Sequence, residues 1–270
     1  MAVWLLWVSL HRLCRVTCGV TPSLTCVLRS PIVTTMIVLD RDRQIVMAVA
    51  RFGQLTASHL RAMLFHDRSS QTPLDRALKR LVERKYLARI ERRMVGGTGA
   101  GSGQYVYQLG REGWKLAGRE KAYWPFRAVN YHTLAIADVY RELLELEHAG
   151  RLTIEAFLTE PESWQVIAGA DLRPDLFVQV ADHLNGRSVS LWIEVDMGTE
   201  RQSAIAQKLA AYWHAYQHAD ESRVFPQVLL IAPDNDRAKA LRYTIAQGDE
   251  EAQALFVVST LPEFTGLYFS

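Results

Sequence analysis

A glycine-rich run, GGTGAGSG at residues 96–103, constrains the fold of this chain more than any other feature of its sequence. The flanking segments, YLARIERRM and QYVYQLG, alternate in polarity or carry β-branched and aromatic residues, which is typical of strands. Because glycine tolerates the backbone angles that tight turns need, the run predicts the tip of a β-hairpin with a long, flexible loop.

Three helical patterns precede this hairpin, at residues 41–53, 56–65 and 72–85. In each of them apolar residues recur every three or four positions, as on one face of an amphipathic helix. Thr56 is a good N-cap for the second helix, and a proline stands at the first position of the third. Three helices followed by a hairpin predict a winged helix-turn-helix domain over residues 36–118.

The second half of the sequence alternates helices with strands and follows a predicted linker at residues 119–129. This alternation predicts an α/β domain over residues 130–270, so the fold class is α/β, or α+β for the whole chain. The predicted elements are a helix at 131–149, strands at 152–160, 172–180 and 188–196, a helix at 199–219, a strand at 225–233, a helix at 234–248 and a strand at 254–260.

The cysteines bear on the expected location of the protein. All three lie within the first 26 of its 270 residues, so the globular part has no disulfide framework and no cysteine zinc site, which fits a reducing cytoplasm. Residues 1–35 begin with an apolar run of only ten residues, whereas a membrane-spanning helix needs about twenty. We interpret them as an upstream extension of a reading frame that starts at Met36; a membrane or export segment is the alternative.

Positive charge is concentrated on the predicted third helix and the first strand of the hairpin. Residues 76–93 hold eight basic and two acidic residues, a net charge of +6 in a chain whose total is +2. A winged helix meets DNA with these elements, the third helix in the major groove and the hairpin along the backbone. The alternative is a solvated basic face that binds protein. The predicted contacts to double-stranded DNA are Arg76, Lys79, Arg80, Arg84, Arg92 and Arg93.

Two carboxylates stand at strand ends that adjoin if the second and third strands of the α/β domain are antiparallel. Asp175 lies near the start of one strand and Glu194 near the end of the next, so the pair could share one Mg²⁺, an ion that prefers oxygen ligands. Lys208 falls in the apolar face of the following helix, where an unpaired cation is costly. We expect it to pair with Asp175, Glu194 or Asp196, either as a catalytic cation or as a structural salt bridge.

The segments RPDLFV and WIEVD resemble the PD-(D/E)xK nuclease superfamily, in which a lysine stands two residues after the glutamate. That position holds Asp196 here, which departs from the pattern. Some members carry the lysine on the following helix, where Lys208 lies. The resemblance therefore implies Asp175 and Glu194 as metal ligands and Lys208 as a catalytic residue of a restriction-endonuclease-like core.

Several blocks in order resemble the replication-relaxation family between Asp40 and about Gln247. They are RDRQIVMAVARFGQLTASHL, RALKRLVERKYLARI, the glycine-rich wing before YVYQLG, NYHTLAIADVY, LRPDLFV, EVDMGTE and the K-x3-YW-x2-Y helix. This resemblance implies a winged helix followed by a nuclease-like core. It also implies a role in plasmid replication initiation or in relaxation of the origin for transfer.

Three functions are compatible with these observations. The first is a DNA-binding accessory protein of a plasmid or mobile element whose second domain does not cut DNA. The second is an Mg²⁺-dependent endonuclease or nickase, and the third is a winged-helix transcriptional regulator. Asp196 favours the first and third, and Lys208 favours the second. The expected partners are double-stranded DNA and replication or relaxosome proteins, with no membrane; a homodimer is left open.

Overall fold

The N-terminal half consists of helices packed around a small antiparallel sheet of order β1-β3-β2. The computed structural model describes residues 39–93, 104–220 and 224–269, so the extension at 1–35 and the glycine-rich tip at 96–103 lie outside the described residues. The three predicted helices and both hairpin strands are present. The elements are α1 (Asp40–Phe52), β1 (Gln54–Thr56), α2 (Ala57–Leu64), α3 (Thr72–Glu83), β2 (Leu87–Arg93), β3 (Gln104–Leu109) and α4 (Arg111–Leu116).

A capping arrangement fixes the joint between β1 and α2. Gly53 ends α1 with a φ of 84°, a backbone angle that glycine adopts without strain. Thr56 then caps α2: its Oγ1 accepts a hydrogen bond from the His59 amide, and His59 Nδ1 accepts one from the Thr56 amide. Because Nδ1 acts as an acceptor, Nε2 carries the ring proton and donates to Asp138 Oδ1 at 2.8 Å. The joint is thereby bonded to the C-terminal half.

The C-terminal half is a mixed five-stranded sheet of order β10-β9-β8-β7-β4, with helices packed against it. Strands β4, β7 and β8 pair antiparallel, and β8, β9 and β10 pair parallel. The elements are α5 (Tyr131–His148), β4 (Leu152–Thr159), β5 (Gln165–Ile167), β6 (Ala170–Leu172), β7 (Leu176–Asp182), β8 (Arg187–Val195), α6 (Gln202–Gln217), β9 (Gln227–Ala232), α7 (Asn235–Ala246), α8 (Glu250–Gln253), β10 (Phe256–Thr260) and α9 (Phe264–Phe269). The mixed α/β class predicted from the sequence is confirmed.

The predicted strand at 172–180 is divided in the structure. Its first residue belongs to the short β5–β6 hairpin, and β7 begins only at Leu176. Pro174 lies in the gap, and proline has no amide hydrogen to donate to a strand ladder. This break places Asp175 at the entrance of β7.

The two halves share one hydrophobic core. Buried residues of the N-terminal half such as Ile45 and Leu87 belong to the same cluster as Ile136 and Leu176 of the C-terminal half. Residues 119–130, which we call the strap, connect the halves without a regular helix or strand. The domain boundaries proposed from the sequence remain a prediction.

Within residues 39–93, 104–220 and 224–269, no helix combines the length and the apolar character that crossing a membrane requires.

Candidate nucleic-acid interface and carboxylate cavity

Helix α3 has one buried face and one face in water. Leu74, Leu78 and Leu81 are buried in the core, whereas Arg76 and Lys79 are exposed on the other side. This division follows from the helical period of 3.6 residues, which places the leucines on a single stripe. The helix therefore presents cations to solvent while its apolar stripe fixes its position.

Arg80 has a carboxylate partner that the sequence did not predict, and its contact to DNA remains a prediction. Its guanidinium donates to both carboxylate oxygens of Asp42 on α1, from Nε at 2.9 Å and from Nη2 at 2.6 Å. Asp42 is only 2% exposed, and the hydrogen bond that Arg80 donates to it raises the pKa of Arg80. Arg80 thus joins α3 to α1 through an ion pair, and its side chain is only 32% exposed, whereas Arg76 and Lys79 are exposed. The sequence alone could not reveal this pair, because it depends on how α1 packs on α3.

The other predicted DNA contacts lie beyond the helix. Arg84 is exposed at the C-terminal end of α3. Arg89 on β2 is also exposed, and its guanidinium lies 4.5 Å from the centre of the Tyr105 ring. Arg92 and Arg93 pair through their backbones with β3, but their side chains lie outside the described residues. Their contacts to DNA remain a prediction.

Asp175 and Glu194 meet at one end of the antiparallel pair β7–β8. The register pairs Leu176 with Ile193, so Asp175 and Glu194 are the next residues on their respective strands and lie side by side. Both residues are buried, and both line a cavity of about 90 Å³. The structure therefore brings the two carboxylates together as the strand ends predicted.

Two residues of α6 bind the two oxygens of Glu194. Lys208 Nζ donates to Oε2 at 2.9 Å, and the Tyr212 hydroxyl donates to Oε1 at 2.6 Å. Lys208 also lies 3.3 Å from Glu200. Tyr212 is a site residue that the sequence reasoning missed, although its spacing of four from Lys208 on the same helix face could have indicated it.

The protonation of these groups follows from burial and charge. Burial raises the pKa of Glu194 to about 7, against the opposing effect of Lys208. Desolvation opposes the charged form of Lys208, but the carboxylates of Glu194, Glu200 and Asp175 together outweigh it and raise the pKa of the ammonium. Burial, followed by the Glu194 charge, raises the pKa of the Tyr212 hydroxyl, which therefore stays protonated and donates.

His132 is a second residue that the sequence reasoning missed. It lies in the first turn of α5, and its Nε2 is 3.2 Å from Asp175 Oδ2, which also accepts from the Val195 amide at 2.7 Å. The hydrogen bond to Asp175 raises the pKa of His132, against the effect of desolvation. Nothing in the sequence period marks this histidine, because its partner lies on a different element 43 residues away.

Asp196, which stands where the nuclease pattern has lysine, is bound elsewhere. Its Oδ2 accepts from Arg237 Nε on α7 at 2.8 Å, and its Oδ1 accepts from the Gly198 amide at 2.5 Å. Arg237 also donates to the Glu200 backbone carbonyl. The carboxylate that departs from the nuclease pattern therefore serves to fix the loop between β8 and α6.

The donor set at the cavity fits Mg²⁺ in chemical type, because Asp175 and Glu194 offer hard carboxylate oxygens. Their hydrogen bonds go to Lys208, Tyr212, His132 and a backbone amide, so a cation would compete with these donors. Within the described part of the chain, no three His, Cys, Asp or Glu side chains are grouped so as to hold a metal ion. The magnesium site remains a prediction.

These features define an α+β protein with a basic helix face and a buried carboxylate cavity. The replication-relaxation family model matches residues 47–228, about two thirds of the chain, from within α1 to the start of β9. The chain therefore belongs to the replication-relaxation family. Membership indicates a role in the replication or relaxation of plasmids or mobile elements. No curated protein and no solved structure matches the chain.

Proposed function

We propose that this protein binds double-stranded DNA through a winged helix as an accessory component of plasmid or mobile-element replication or relaxation. The observation that carries the proposal is the two-faced α3. Its leucine stripe is buried, while Arg76 and Lys79 face water and Arg84 follows at its end. The order of three helices and a hairpin is the one that winged helices use to place the third helix in the major groove.

The charge of this region supports duplex binding over a merely solvated surface. Residues 76–93 carry a net charge of +6, although the whole chain carries only +2. Each phosphate contact by such a cation releases counterions from DNA, which supplies affinity that is independent of sequence. An excess of positive charge would add little binding free energy to a surface that binds protein, since exposed ion pairs contribute at most about 1 kcal/mol each.

A fluorescence anisotropy titration of a labelled duplex with the full chain tests this proposal. We expect the Arg76→Ala, Lys79→Ala double variant to bind about ten-fold more weakly or worse, because each cation that meets the duplex contributes roughly 1–3 kcal/mol. The matched control is Lys115→Ala, Lys239→Ala, which removes the same charge from exposed positions outside α3. Equal affinities of the two double variants would refute the α3 interface.

An Mg²⁺-dependent endonuclease or nickase is the second candidate, and the position of Lys208 favours it. The cation is 2.9 Å from Glu194, and Asp175 lines the same cavity, as the nuclease-like core requires. Asp175 and Glu194 would hold the metal. When bound, Mg²⁺ would polarise the phosphodiester and lower the pKa of a water. Lys208 would stabilise negative charge on the phosphate.

A nicking assay on supercoiled plasmid with Mg²⁺ or Mn²⁺ separates the two candidates. If the second half is an enzyme, Asp175→Ala and Glu194→Ala each abolish nicking, whereas Asp236→Ala, which removes an exposed carboxylate of α7, leaves it unchanged. Nicking that persists in both cavity variants rejects the enzyme model. A wild-type protein that binds duplex without nicking under broad conditions supports the accessory role.

A further inference from the structure

The strap has a backbone fixed by two buried glutamines that face each other on the small sheet. Gln108 on β3 donates to the Phe126 carbonyl at 3.0 Å and accepts from the Phe126 amide at 2.8 Å. Its register partner, Gln54 on β1, donates to the Ala128 carbonyl at 3.0 Å and accepts from the Asn130 amide at 2.8 Å. Each side-chain amide thus imitates a neighbouring strand, and the connection predicted as a linker is held in place.

Large aromatic side chains stand out from this fixed backbone into water. Trp124 is 73% exposed, Phe126 is 51% exposed, and Tyr131 at the start of α5 is 53% exposed. By contrast, Tyr123 turns inward and donates from its hydroxyl to the Leu109 carbonyl. Adjacent exposed aromatics on an ordered backbone are unfavourable in water, which is why such patches mark binding sites.

Basic residues accompany the aromatics. Residues 119–131 contain three basic residues and one acidic residue, a net charge of +2. The Arg127 guanidinium lies 5.8 Å from the Trp124 ring centre. An apolar cavity of about 200 Å³ adjoins Trp124 and Phe126. Flat rings beside cations and an apolar recess suit planar bases on an anionic backbone, which gives the surface a preferred chemistry of ligand.

The strap leads directly to the carboxylate cavity. Asn130, its last residue, caps α5 by accepting from the Thr133 amide, and His132 in the same turn bonds Asp175. Another exposed aromatic, Trp164, follows Ser163, which is hydrogen-bonded to Pro174, the residue before Asp175. The Arg173 guanidinium lies 4.9 Å from the centre of the Trp164 ring, and Ser163 donates to the Pro174 carbonyl at 2.6 Å.

We propose that the strap binds single-stranded DNA, with bases stacked on Trp124, Phe126 and Tyr131 and the strand directed towards the carboxylate cavity. The proposal rests on the proposed DNA-binding function but names a second ligand and a second surface. A single strand exposes the faces of its bases, whereas a duplex hides them in its stack. Binding would therefore be selective for single strands and largely independent of base sequence.

The test compares a fluorescein-labelled oligothymidylate with a duplex of equal length, in anisotropy titrations of the full chain. We expect Trp124→Ala, Phe126→Ala to bind the oligothymidylate at least about ten-fold more weakly for each aromatic removed, while duplex affinity stays unchanged. The matched control is Tyr243→Ala, Leu267→Ala, which removes two exposed apolar side chains far along the chain. Arg76→Ala, Lys79→Ala should show the reverse pattern, with duplex binding weakened about ten-fold or more and oligothymidylate binding kept.

These measurements test single-strand binding by the strap independently of duplex binding by α3. No oligothymidylate binding by the wild type, or equal weakening by the strap and control variants, overturns it, whatever happens with duplex. Loss of both ligands in the strap variant also overturns it if circular dichroism shows a folded protein. Should that variant fail to fold, Trp124→Ala alone and quenching of tryptophan fluorescence by oligothymidylate in the wild type give the answer. Absence of quenching would overturn the proposal that bases stack on the strap.

Discussion

The exposed face of α3 carries its charge in water, whereas the charges in the carboxylate cavity are buried and paired. On α3, Arg76 and Lys79 stand in water, and the region around them carries an excess of one sign. In the cavity, Asp175 and Glu194 are buried, and donors from α5, α6 and the backbone surround their oxygens. Exposed like charges are therefore suited to a large polyanion, whereas buried compensated charges are suited to a small ligand or to stability.

Arg80 and Lys208 have similar surroundings but differ in their access to a ligand. Both are cations on amphipathic helices, and both pair with a buried carboxylate on a neighbouring element, Asp42 and Glu194 respectively. Only Lys208 lies at a cavity that a ligand could enter. The ion pair of Arg80 therefore serves the packing of α3, and that of Lys208 could serve chemistry as well.

The largest effect on stability is expected for Arg80→Ala. Removing this guanidinium leaves Asp42, which is 2% exposed, without its cation, and because the Arg80 side chain is itself 32% exposed, the loss should be roughly 2 kcal/mol, below that of a fully buried pair. Urea unfolding followed by circular dichroism measures the change. Arg76→Ala is the control on the same helix and should stay within about 0.5 kcal/mol of the wild type, because its side chain is exposed. Equal stabilities would show that Arg80 belongs with the exposed cations.

The cavity predicts an unusual dependence of stability on pH. Glu194 has a pKa of about 7 in the folded protein, above the ordinary value of 4.5. Between these values the folded state binds more protons than the unfolded state, so the free energy of unfolding falls as pH rises, by up to about 1.4 kcal/mol per pH unit. Glu194→Gln should flatten this slope between pH 4.5 and 7.

The raised pKa of His132 adds a loss of stability in the same direction as pH rises through its folded value. This contribution lies above the ordinary histidine pKa of 6.5 and should remain in Glu194→Gln. Urea unfolding at a series of pH values separates the two groups. A slope between pH 4.5 and 7 that is unchanged in Glu194→Gln would contradict the assignment to Glu194.

Tyr212→Phe is expected to have the smallest effect. It removes the hydroxyl that donates to Glu194 Oε1 at 2.6 Å but keeps the ring that packs against Trp192. The loss of one hydrogen bond to a carboxylate should cost about 1–2 kcal/mol in urea unfolding. It should also raise the pKa of Glu194 further, which would extend the falling part of the stability curve to higher pH. A pH profile identical to that of the wild type would show that the hydroxyl does not influence Glu194.

The features that the sequence could predict are those that follow from periodicity within one element or from the pairing of consecutive strands. The stripe of α3, the meeting of Asp175 with Glu194 at antiparallel strand ends and the position of Lys208 on its helix all follow from local spacing. Partners on distant elements could not be predicted in this way. The pairing of Arg80 with Asp42 and of His132 with Asp175 depends on packing angles that no periodic pattern encodes.

The strap illustrates the same limit for the backbone. The sequence predicted a linker at residues 119–129, but not that Gln54 and Gln108 would bind its amides and carbonyls. The β5–β6 hairpin was missed because its strands have only three residues each, too few to display an alternation.

The salt dependence of duplex binding tests the central claim, that α3 presents its exposed cations to DNA, most directly. For the wild type, the logarithm of the association constant should fall steeply and linearly with the logarithm of salt concentration. Arg76→Ala, Lys79→Ala should reduce that slope by roughly one for each phosphate contact removed, and Arg80→Ala should leave it unchanged. A slope that is the same in the wild type and the double variant would contradict the account, as would an equal reduction in Arg80→Ala.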